Sequence, residues 1–244
     1  MTEVQFCEKH GKYDAKIMEI MGRKFFLMCP ECEKEQAEKE RIEKLESEKA
    51  AQIEKYKAMG IEPEFYTATL ENYKAESESE RQAKQACNEI LYGALQKLLL
   101  LGSNGTGKTH LACALVKKMN GVIVSMFELS SKIRSGYTQN KSEVEVLDEL
   151  LEKKLIVIDE VGRTKGSDAE KNWLSYLIDK AHTRHIKIVL ISNRHLARSL
   201  PVENKGESFE FFMDNDVISR LKQNSRIIEI EGRDRRLDSV RATV

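Results

Sequence analysis

One stretch of the sequence has the residue types and spacing of a loop that wraps around phosphate groups. The stretch "LLLLGSNGTGKTHLACAL", Leu98 to Leu115, contains the pattern G-x4-G-K-T between an apolar run and a helical pattern. Glycines let backbone N–H groups approach phosphate oxygens, and a helix N-terminus favours negative charge. We expect Lys108 to reach the β- and γ-phosphates and Thr109 to bind Mg²⁺. The loop consists of Gly102, Ser103, Asn104, Gly105, Thr106, Gly107, Lys108 and Thr109.

Two further apolar runs end in residues that could act on a bound nucleotide. The run "LIVIDE" ends in Asp159 and Glu160, and "IVLISN" ends in Asn193. Asp159 at the carboxyl end of a strand can hold Mg²⁺, usually through water. Glu160 is then placed to orient or deprotonate an attacking water, and the Asn193 amide could sense the γ-phosphate. These residues predict hydrolysis of ATP.

Two other functions are compatible with a phosphate loop. A small-molecule or nucleoside kinase would need an acceptor pocket and typically a basic lid, and adjacent Asp159 and Glu160 suit water better as the acceptor. An adaptor protein with a vestigial ATP site is disfavoured because Lys108 and Thr109 are also intact.

Four residues near the start of the chain have the spacing of zinc ligands. Cys7 and His10 form one pair, Cys29 and Cys32 form another, and eighteen residues separate the pairs. Two such pairs can bind Zn²⁺ tetrahedrally with no open position, which indicates a structural site. Because the segment is too small for its own core, metal binding would supply its folding energy. The alternative is four unrelated cysteine and histidine residues.

Composition limits the class of protein. The chain has 244 residues, enough for one α/β domain plus a smaller attachment. Forty basic and forty acidic residues balance, so any nucleic-acid-binding surface must be local. No apolar run approaches the ~18 residues that span a bilayer. With five cysteines and no signal sequence, we expect a cytoplasmic protein without a membrane partner.

The elements that must position these residues follow an alternating pattern. After about residue 80, helical segments separate the apolar runs "KLLLLG", "VIVS", "LIVIDE", "IKIVLISN" and "RIIEIEG". This alternation predicts an α/β fold with a mainly parallel sheet flanked by helices. We expect a zinc-binding module at 1–32, a charged connecting helix at 33–59, a docking linker at 60–80 and an ATPase domain at 81–244. The helix at 33–59 is either a solvated connector or a partner-binding helix.

The motifs together resemble a known family. "GSNGTGKTHLACAL", "LIVIDEVG" and "ISNRH" resemble the AAA+ ATPases, with Asn193 at the sensor-1 position. With "GIEPEFYTATLENY" and "FELSSKIRSGY" added, the chain looks like the DnaC/DnaI helicase-loader clade over roughly residues 58–236. The related IstB transposition helpers share much of this pattern.

The resemblance implies two arginine roles. Arg220 matches an arginine that reaches the nucleotide of a neighbouring subunit, which requires self-association; the alternative is a plain surface arginine. Arg235 best fits the position of a sensor-2 arginine that contacts nucleotide, with Arg233 and Arg236 as competitors.

The resemblance also implies a helix that contacts single-stranded DNA. Lys132 and Arg134 would contact phosphates, and Phe127 and Tyr137 are candidate packing or stacking groups. The alternative is a plain surface helix with three inward side chains, Phe127, Leu129 and Ile133.

The function implied is that of an ATP-dependent helicase loader with ATP, Mg²⁺ and Zn²⁺ as cofactors. Such a protein binds a hexameric replicative DNA helicase through its amino-terminal module and helps deliver it to single-stranded DNA. ATP binding would stabilise the loading-competent assembly and hydrolysis would favour release. The alternative is an IstB-like ATP-dependent transposition helper.

Overall fold

The computed structural model describes residues 2–20, 23–163, 167–213 and 215–235. The chain divides into two compact units, Met1–Lys55 and Tyr56–Val244. No helix in those described ranges combines the length and apolar character that a membrane crossing requires.

The first unit contains a three-stranded antiparallel sheet. Strands β1 (Thr2–Cys7), β2 (Gly11–Ile20) and β3 (Arg23–Phe26) lie in the order β1-β2-β3. Strand β1 ends at Cys7, the first of the four predicted zinc ligands. Its residues "TEVQFC" are too few and too polar to predict a strand alone, and β1 forms by pairing with β2 over its whole length.

A long charged helix follows. Helix α1 spans Pro30–Ala58 and begins with proline, which is favoured in the first turn because its missing N–H would have no helical partner there. Glu31 and Glu33 lie in that turn, where carboxylates interact favourably with the helix dipole. The helix begins three residues earlier than predicted, so Cys32 lies inside it.

The second unit is built on a five-stranded parallel sheet. Its strands are β4 (Lys97–Leu101), β5 (Val122–Ser125), β6 (Leu155–Asp159), β7 (Lys187–Ile191) and β8 (Ser225–Glu229), in the order β5-β6-β7-β4-β8. All four strand pairings are parallel. The predicted α/β fold is confirmed.

Helices and short 3-10 turns connect these strands. The helices are α2 (Glu78–Leu91), α3 (Lys108–Met119), α4 (Met126–Thr138), α5 (Glu143–Leu150), α6 (Asp168–Thr183), α7 (Phe209–Phe212) and α8 (Asn215–Lys222). Four of them begin with a serine and a glutamate that cap each other's backbone N–H groups, at Ser77, Ser125, Ser142 and Ser167.

Two hydrophobic cores cover the two faces of the sheet. Strand β4 contributes Leu99 and Leu101 to one core and Leu98 and Leu100 to the other. Successive side chains of a strand point to opposite faces, and both faces here are covered. This is why four consecutive leucines follow Lys97 in β4. The segment 59–73 contributes to the second core together with α2 and α3.

Candidate functional site

The phosphate loop lies between β4 and α3. The Lys108 ammonium is turned into the loop, where it donates to the carbonyls of Gly102 (2.7 Å) and Ser103 (2.6 Å). Gly107 has φ +87°, and a Cβ there would lie 2.6 Å from the ring of Tyr73, so both backbone and space require glycine. The loop therefore has the geometry in which backbone N–H groups and a lysine can surround phosphate oxygens.

The two predicted magnesium-binding residues are in contact. The Thr109 hydroxyl donates to Oδ2 of Asp159 at 2.9 Å. Burial raises the pKa of Asp159, and the bonds from Thr109 and from the Glu160 N–H oppose that rise. A hydroxyl beside a carboxylate is an oxygen donor set that suits Mg²⁺, which keeps several of its own waters.

Glu160 is held by an unusual backbone conformation. It has φ +57°, its N–H donates to Oδ1 of Asp159 at 2.6 Å, and its carboxylate pairs with Arg163. Left-handed backbone at a residue other than glycine is sparsely populated and clusters at functional sites. We call residues 159–163 the acidic turn, since the Arg163 N–H closes it by donating to the Glu160 carbonyl at 3.1 Å.

These groups share one cavity of about 510 Å³, a volume in the range of small-molecule sites. It is lined by nine of the residues that the sequence singled out: Asn104, Gly105, Gly107, Lys108, Thr109, Asp159, Glu160, Asn193 and Arg235. The structure thus brings together residues that are more than 120 positions apart in the chain, from Asn104 to Arg235.

Arg235, one of the three candidate sensor-2 arginines, lines the cavity. Its Nη2 donates to the Lys74 carbonyl and to Oε1 of buried Glu80, both at 2.6 Å. Its guanidinium lies 4.8 Å from the ring centroid of Tyr73. Arg233 instead pairs with Glu76 at 3.4 Å, and Arg236 lies outside the described residues.

Sequence reasoning did not single out several residues of the cavity. Tyr73, His110 and Arg163 line it with the predicted groups. Tyr73 donates its hydroxyl to the Thr106 carbonyl at 3.0 Å, and burial raises its pKa. His110 faces the Thr69 carbonyl at 3.0 Å. The sequence feature that could have indicated Tyr73 is the aromatic segment "GIEPEFYTATLENY". Its contact with the phosphate loop depends on tertiary structure.

Arg220 is not among the residues that line this cavity. It lies on α8 with an exposed side chain that pairs with Asp179 of α6. Arg220 thus lies apart from the cavity of its own chain.

Helix α4 presents the residues predicted to contact DNA. Lys132 and Arg134 are exposed, and Tyr137 donates its hydroxyl to Glu143. The alternative of three inward side chains is wrong for Phe127, which is 72% exposed. Phe127 and Arg134 are seven residues apart, which is about two helical turns, so they lie on the same side of α4. The buried residues of this helix are Met126, Leu129, Ile133 and Gly136.

The four predicted zinc ligands converge in the first unit. Their ligand atoms all lie within 4.8 Å of one another. His10 Nδ1 is 3.4 Å from the Cys32 sulfur and 3.7 Å from those of Cys7 and Cys29. Tetrahedral zinc places its sulfur and nitrogen ligands about 3.5–3.8 Å apart, so the cluster could bind a metal of this kind.

Neighbouring groups prepare two of these ligands. The backbone N–H of His10, with Cys32 and the Lys9 N–H, lowers the pKa of Cys7 to about 6, which favours the metal-binding thiolate. The other ring nitrogen of His10, Nε2, faces Oε1 of Glu35 at 3.2 Å. A carboxylate behind a histidine ligand fixes its orientation and tautomer.

The fold and site define an AAA+ type of ATP-binding protein. The crystal structure of the DnaC helicase loader superimposes with a TM-score of 0.58 at 20% identity, covering 70% of this chain and 100% of that one. The crystal structure of DnaI gives 0.54 at 20% identity, covering 72% and 94%. At these identities the likeness concerns the fold.

The sequence profile of the IstB-like ATP binding proteins matches residues 33–242. The chain belongs to this family, and the resemblance to the DnaC-like members of the AAA+ superfamily is confirmed.

Similar proteins include the replicative helicase loader DnaC of Escherichia coli (strain K12), 25% identical over 146 residues, covering 56% of this chain and 60% of DnaC. The uncharacterized protein YdaV of the same strain is 27% identical over 143 residues, covering 55% and 57%. The matches thus span under two thirds of these relatives' length.

Proposed function

We propose that this protein hydrolyses ATP to control the loading of a hexameric replicative DNA helicase onto single-stranded DNA in the cytoplasm. The observation that carries the ATPase is the cavity shared by Lys108, Thr109, Asp159, Glu160 and Asn193. The helicase as cargo is supported by the similarity to DnaC, a replicative helicase loader.

Five residues of the cavity divide the tasks of hydrolysis among them. Lys108 leaves the loop carbonyls and binds the β- and γ-phosphates. Bound Mg²⁺, held by Thr109 and Asp159, would neutralise phosphate charge. Glu160 orients a water for attack on the γ-phosphate and accepts its proton, and Asn193 donates a hydrogen bond to the γ-phosphate. Release of inorganic phosphate, with no transfer to a metabolite, separates this reaction from that of a kinase.

Two arginines act at different nucleotides. Arg235 contacts the nucleotide of its own chain, which is supported by its place in the cavity. Arg220 contacts the nucleotide of the next copy in a self-assembled array, which is supported by its exposure outside the cavity. Hydrolysis would therefore depend on assembly.

The amino-terminal module docks the helicase and is folded around Zn²⁺. The strand register places Val4, Phe6, Met18 and Phe25 on one face of the sheet, and all four are exposed. The opposite face carries Ala15, which is 1% exposed. Lys12, Asp14 and Lys16 lie on the same face as Val4 and Phe6, so the surface is mixed. Its four exposed apolar side chains support a protein partner. The module comprises 1–32, with 33–59 as connector, 60–80 as linker and 81–244 as ATPase domain.

Helix α4 contacts single-stranded DNA. Arg134 and Lys132 bind phosphates, and exposed Phe127 offers an aromatic face for a base, as does Tyr137 once it leaves Glu143.

A pull-down from the source cell tests the proposed cargo. The tagged chain is incubated with lysate with and without ATP, alongside Lys108→Ala, which should not bind nucleotide. We expect the natural chain to recover the replicative helicase in an amount that changes when ATP is added. Lys108→Ala should recover an amount that does not change with ATP. Recovery of a transposase instead would favour the IstB-like transposition helper, and ATP-independent recovery with Lys108→Ala unaffected would contradict nucleotide control.

A further inference from the structure

The carboxyl end of β7 is attached to the acidic turn by two residues that flank Asn193. Ser192 is fully buried, and its hydroxyl donates to the Val161 carbonyl at 2.6 Å. Arg194 donates through Nε to the Gly162 carbonyl at 2.8 Å. The two carbonyls directly following Glu160 in the chain are therefore held by the neighbours of the γ-phosphate sensor.

Arg194 makes contacts with two further parts of the site. Its carbonyl accepts from the N–H of Gly102, the first residue of the phosphate loop, at 3.2 Å. Its Nη1 donates to the Glu207 carbonyl at 2.9 Å, and its guanidinium lies 5.0 Å from the ring centroid of Phe212. One residue thus joins the phosphate loop, the acidic turn and the segment that precedes α8.

The acidic turn is shaped to receive this side chain. Gly162 has φ +75°, and a Cβ there would lie 2.6 Å from Nε of Arg194 and 3.3 Å from the ring of Phe212. Any other residue would push the guanidinium away from the carbonyl that it binds. Glu160, two positions earlier, is itself held at φ +57°, a conformation that persists only where surrounding contacts enforce it.

We propose that Arg194 is a positioning residue that fixes Glu160 for water activation and links the nucleotide sensor Asn193 to the segment before α8. Arg194 is not among the residues that line the cavity, and it acts by holding the acidic turn through the Gly162 carbonyl. The inference rests on the proposed ATPase function. Because the guanidinium donates in two directions at once, its geometry is required as well as its charge.

Steady-state kinetics of Arg194→Ala and Arg194→Lys provide the test, with Arg198→Ala as matched control. Arg198 is an exposed arginine four residues along the chain. We expect ATP affinity close to that of the natural chain and a kcat lower by on the order of 10²-fold, as for a small misplacement of a reacting group. Lysine should behave like alanine, since one ammonium cannot replace both Nε and Nη1.

Three outcomes would overturn the proposal: kcat of Arg194→Ala equal to that of Arg198→Ala, loss of ATP binding together with turnover, or full rescue by lysine. Gly162→Ala approaches the same contact from the other side and should lower kcat with ATP binding retained. In a Glu160→Gln background, Arg194→Ala should cause no further loss; an additive loss would show that Arg194 does not act through Glu160.

Amide hydrogen exchange separates failure of this inference from failure of the ATPase proposal. A peptide covering residues 155–163 should exchange faster in Arg194→Ala than in Arg198→Ala, whether or not the protein hydrolyses ATP. If the natural chain shows no turnover but the two variants still differ in exchange, the ATPase proposal is contradicted and the positioning contact is supported. Equal exchange in the two variants would contradict the positioning contact itself.

Discussion

Asp159 and Glu160 are adjacent in the chain but have different surroundings. Half-buried Asp159 accepts from the Thr109 hydroxyl, whereas Glu160 has a left-handed backbone, lines the cavity and pairs with Arg163. Two neighbouring carboxylates can therefore take separate roles, one toward a metal ion and its waters, the other toward the attacking water.

This division predicts the behaviour of Glu160→Gln. The amide preserves size but cannot accept the proton of water, so turnover should fall by roughly 10²–10⁴-fold while ATP binding is retained. Phosphate release and ATP affinity are measured side by side, with exposed Glu152→Gln as the control. Normal turnover in Glu160→Gln would remove its catalytic assignment.

Glu80 predicts a pH dependence of stability. Burial opposes its ionisation, but the N–H groups of Ser77 and Glu76 and the guanidinium of Arg235 hold its pKa below the ordinary 4.5. A carboxyl whose pKa is lower in the folded state stabilises the fold above the unfolded pKa and loses that effect as pH falls through the folded value.

Glu80→Gln should therefore lower the free energy of unfolding at pH 7 by roughly 1–3 kcal/mol, the scale of hydrogen bonds to charged groups. The difference from the natural chain should shrink below about pH 4.5 as Glu80 protonates in the unfolded and then the folded state. Urea unfolding at several pH values measures this difference, with exposed Glu152→Gln as control. A difference that is constant with pH would contradict the linkage.

At the scale of secondary-structure elements, the beginning of α1 completes the cysteine/histidine cluster. Cys32 and Glu35 lie in its first turns, so the helix supplies both a predicted ligand and the carboxylate that faces His10. Metal binding by the cluster would therefore be coupled to helix formation, because ordering the turn brings these two groups to the cluster.

Glu35→Gln should weaken zinc binding by about 10–100-fold, the usual effect of losing an outer partner of a histidine ligand. Chelator competition measures zinc affinity, with exposed Glu33→Gln as control on the same helix. Cys29→Ser, which removes a ligand itself, should lose zinc more completely. Unchanged affinity in Glu35→Gln would show that Glu35 does not support the ligand.

At the scale of the whole molecule, the position of Arg220 predicts that hydrolysis requires a second copy. Arg220→Ala supplies no arginine to a neighbour, while Glu160→Gln supplies one but cannot hydrolyse its own ATP. Each variant alone should be nearly inactive, since such an arginine is worth about 10³–10⁵-fold in kcat. Mixed together, the two should regain turnover.

In the control for the mixing experiment, Lys222→Ala replaces Arg220→Ala as the partner of Glu160→Gln. Lys222 lies on α8, the helix that also carries Arg220. The Lys222→Ala variant should hydrolyse ATP without mixing, and its rate should not depend on the presence of Glu160→Gln beyond simple dilution. Mixtures of Arg220→Ala and Glu160→Gln that stay inactive would contradict action on a neighbouring nucleotide.

Contiguous features could be predicted from the amino-acid order alone. The phosphate loop and the Cys7–His10 and Cys29–Cys32 pairs are local patterns in which chemistry and spacing are set by a few neighbouring residues. The apolar runs predicted a parallel sheet because strands buried on both faces must be continuously apolar. Strand β1 was missed because its stability comes from pairing with β2.

What only the tertiary structure decided is which distant groups meet. Arg235 reaches Glu80 across 155 positions, and Arg194 reaches Gly162 across 32. No local pattern distinguishes Arg194 from an exposed arginine such as Arg198, and spacing alone left Arg235 in competition with Arg233 and Arg236. The sequence by itself determined a phosphate loop, a ligand set and an α/β sheet, because these depend on short-range spacing and on burial periodicity. The folded chain decided how Glu160 is held, because that depends on side chains from separate strands converging at one edge of the sheet.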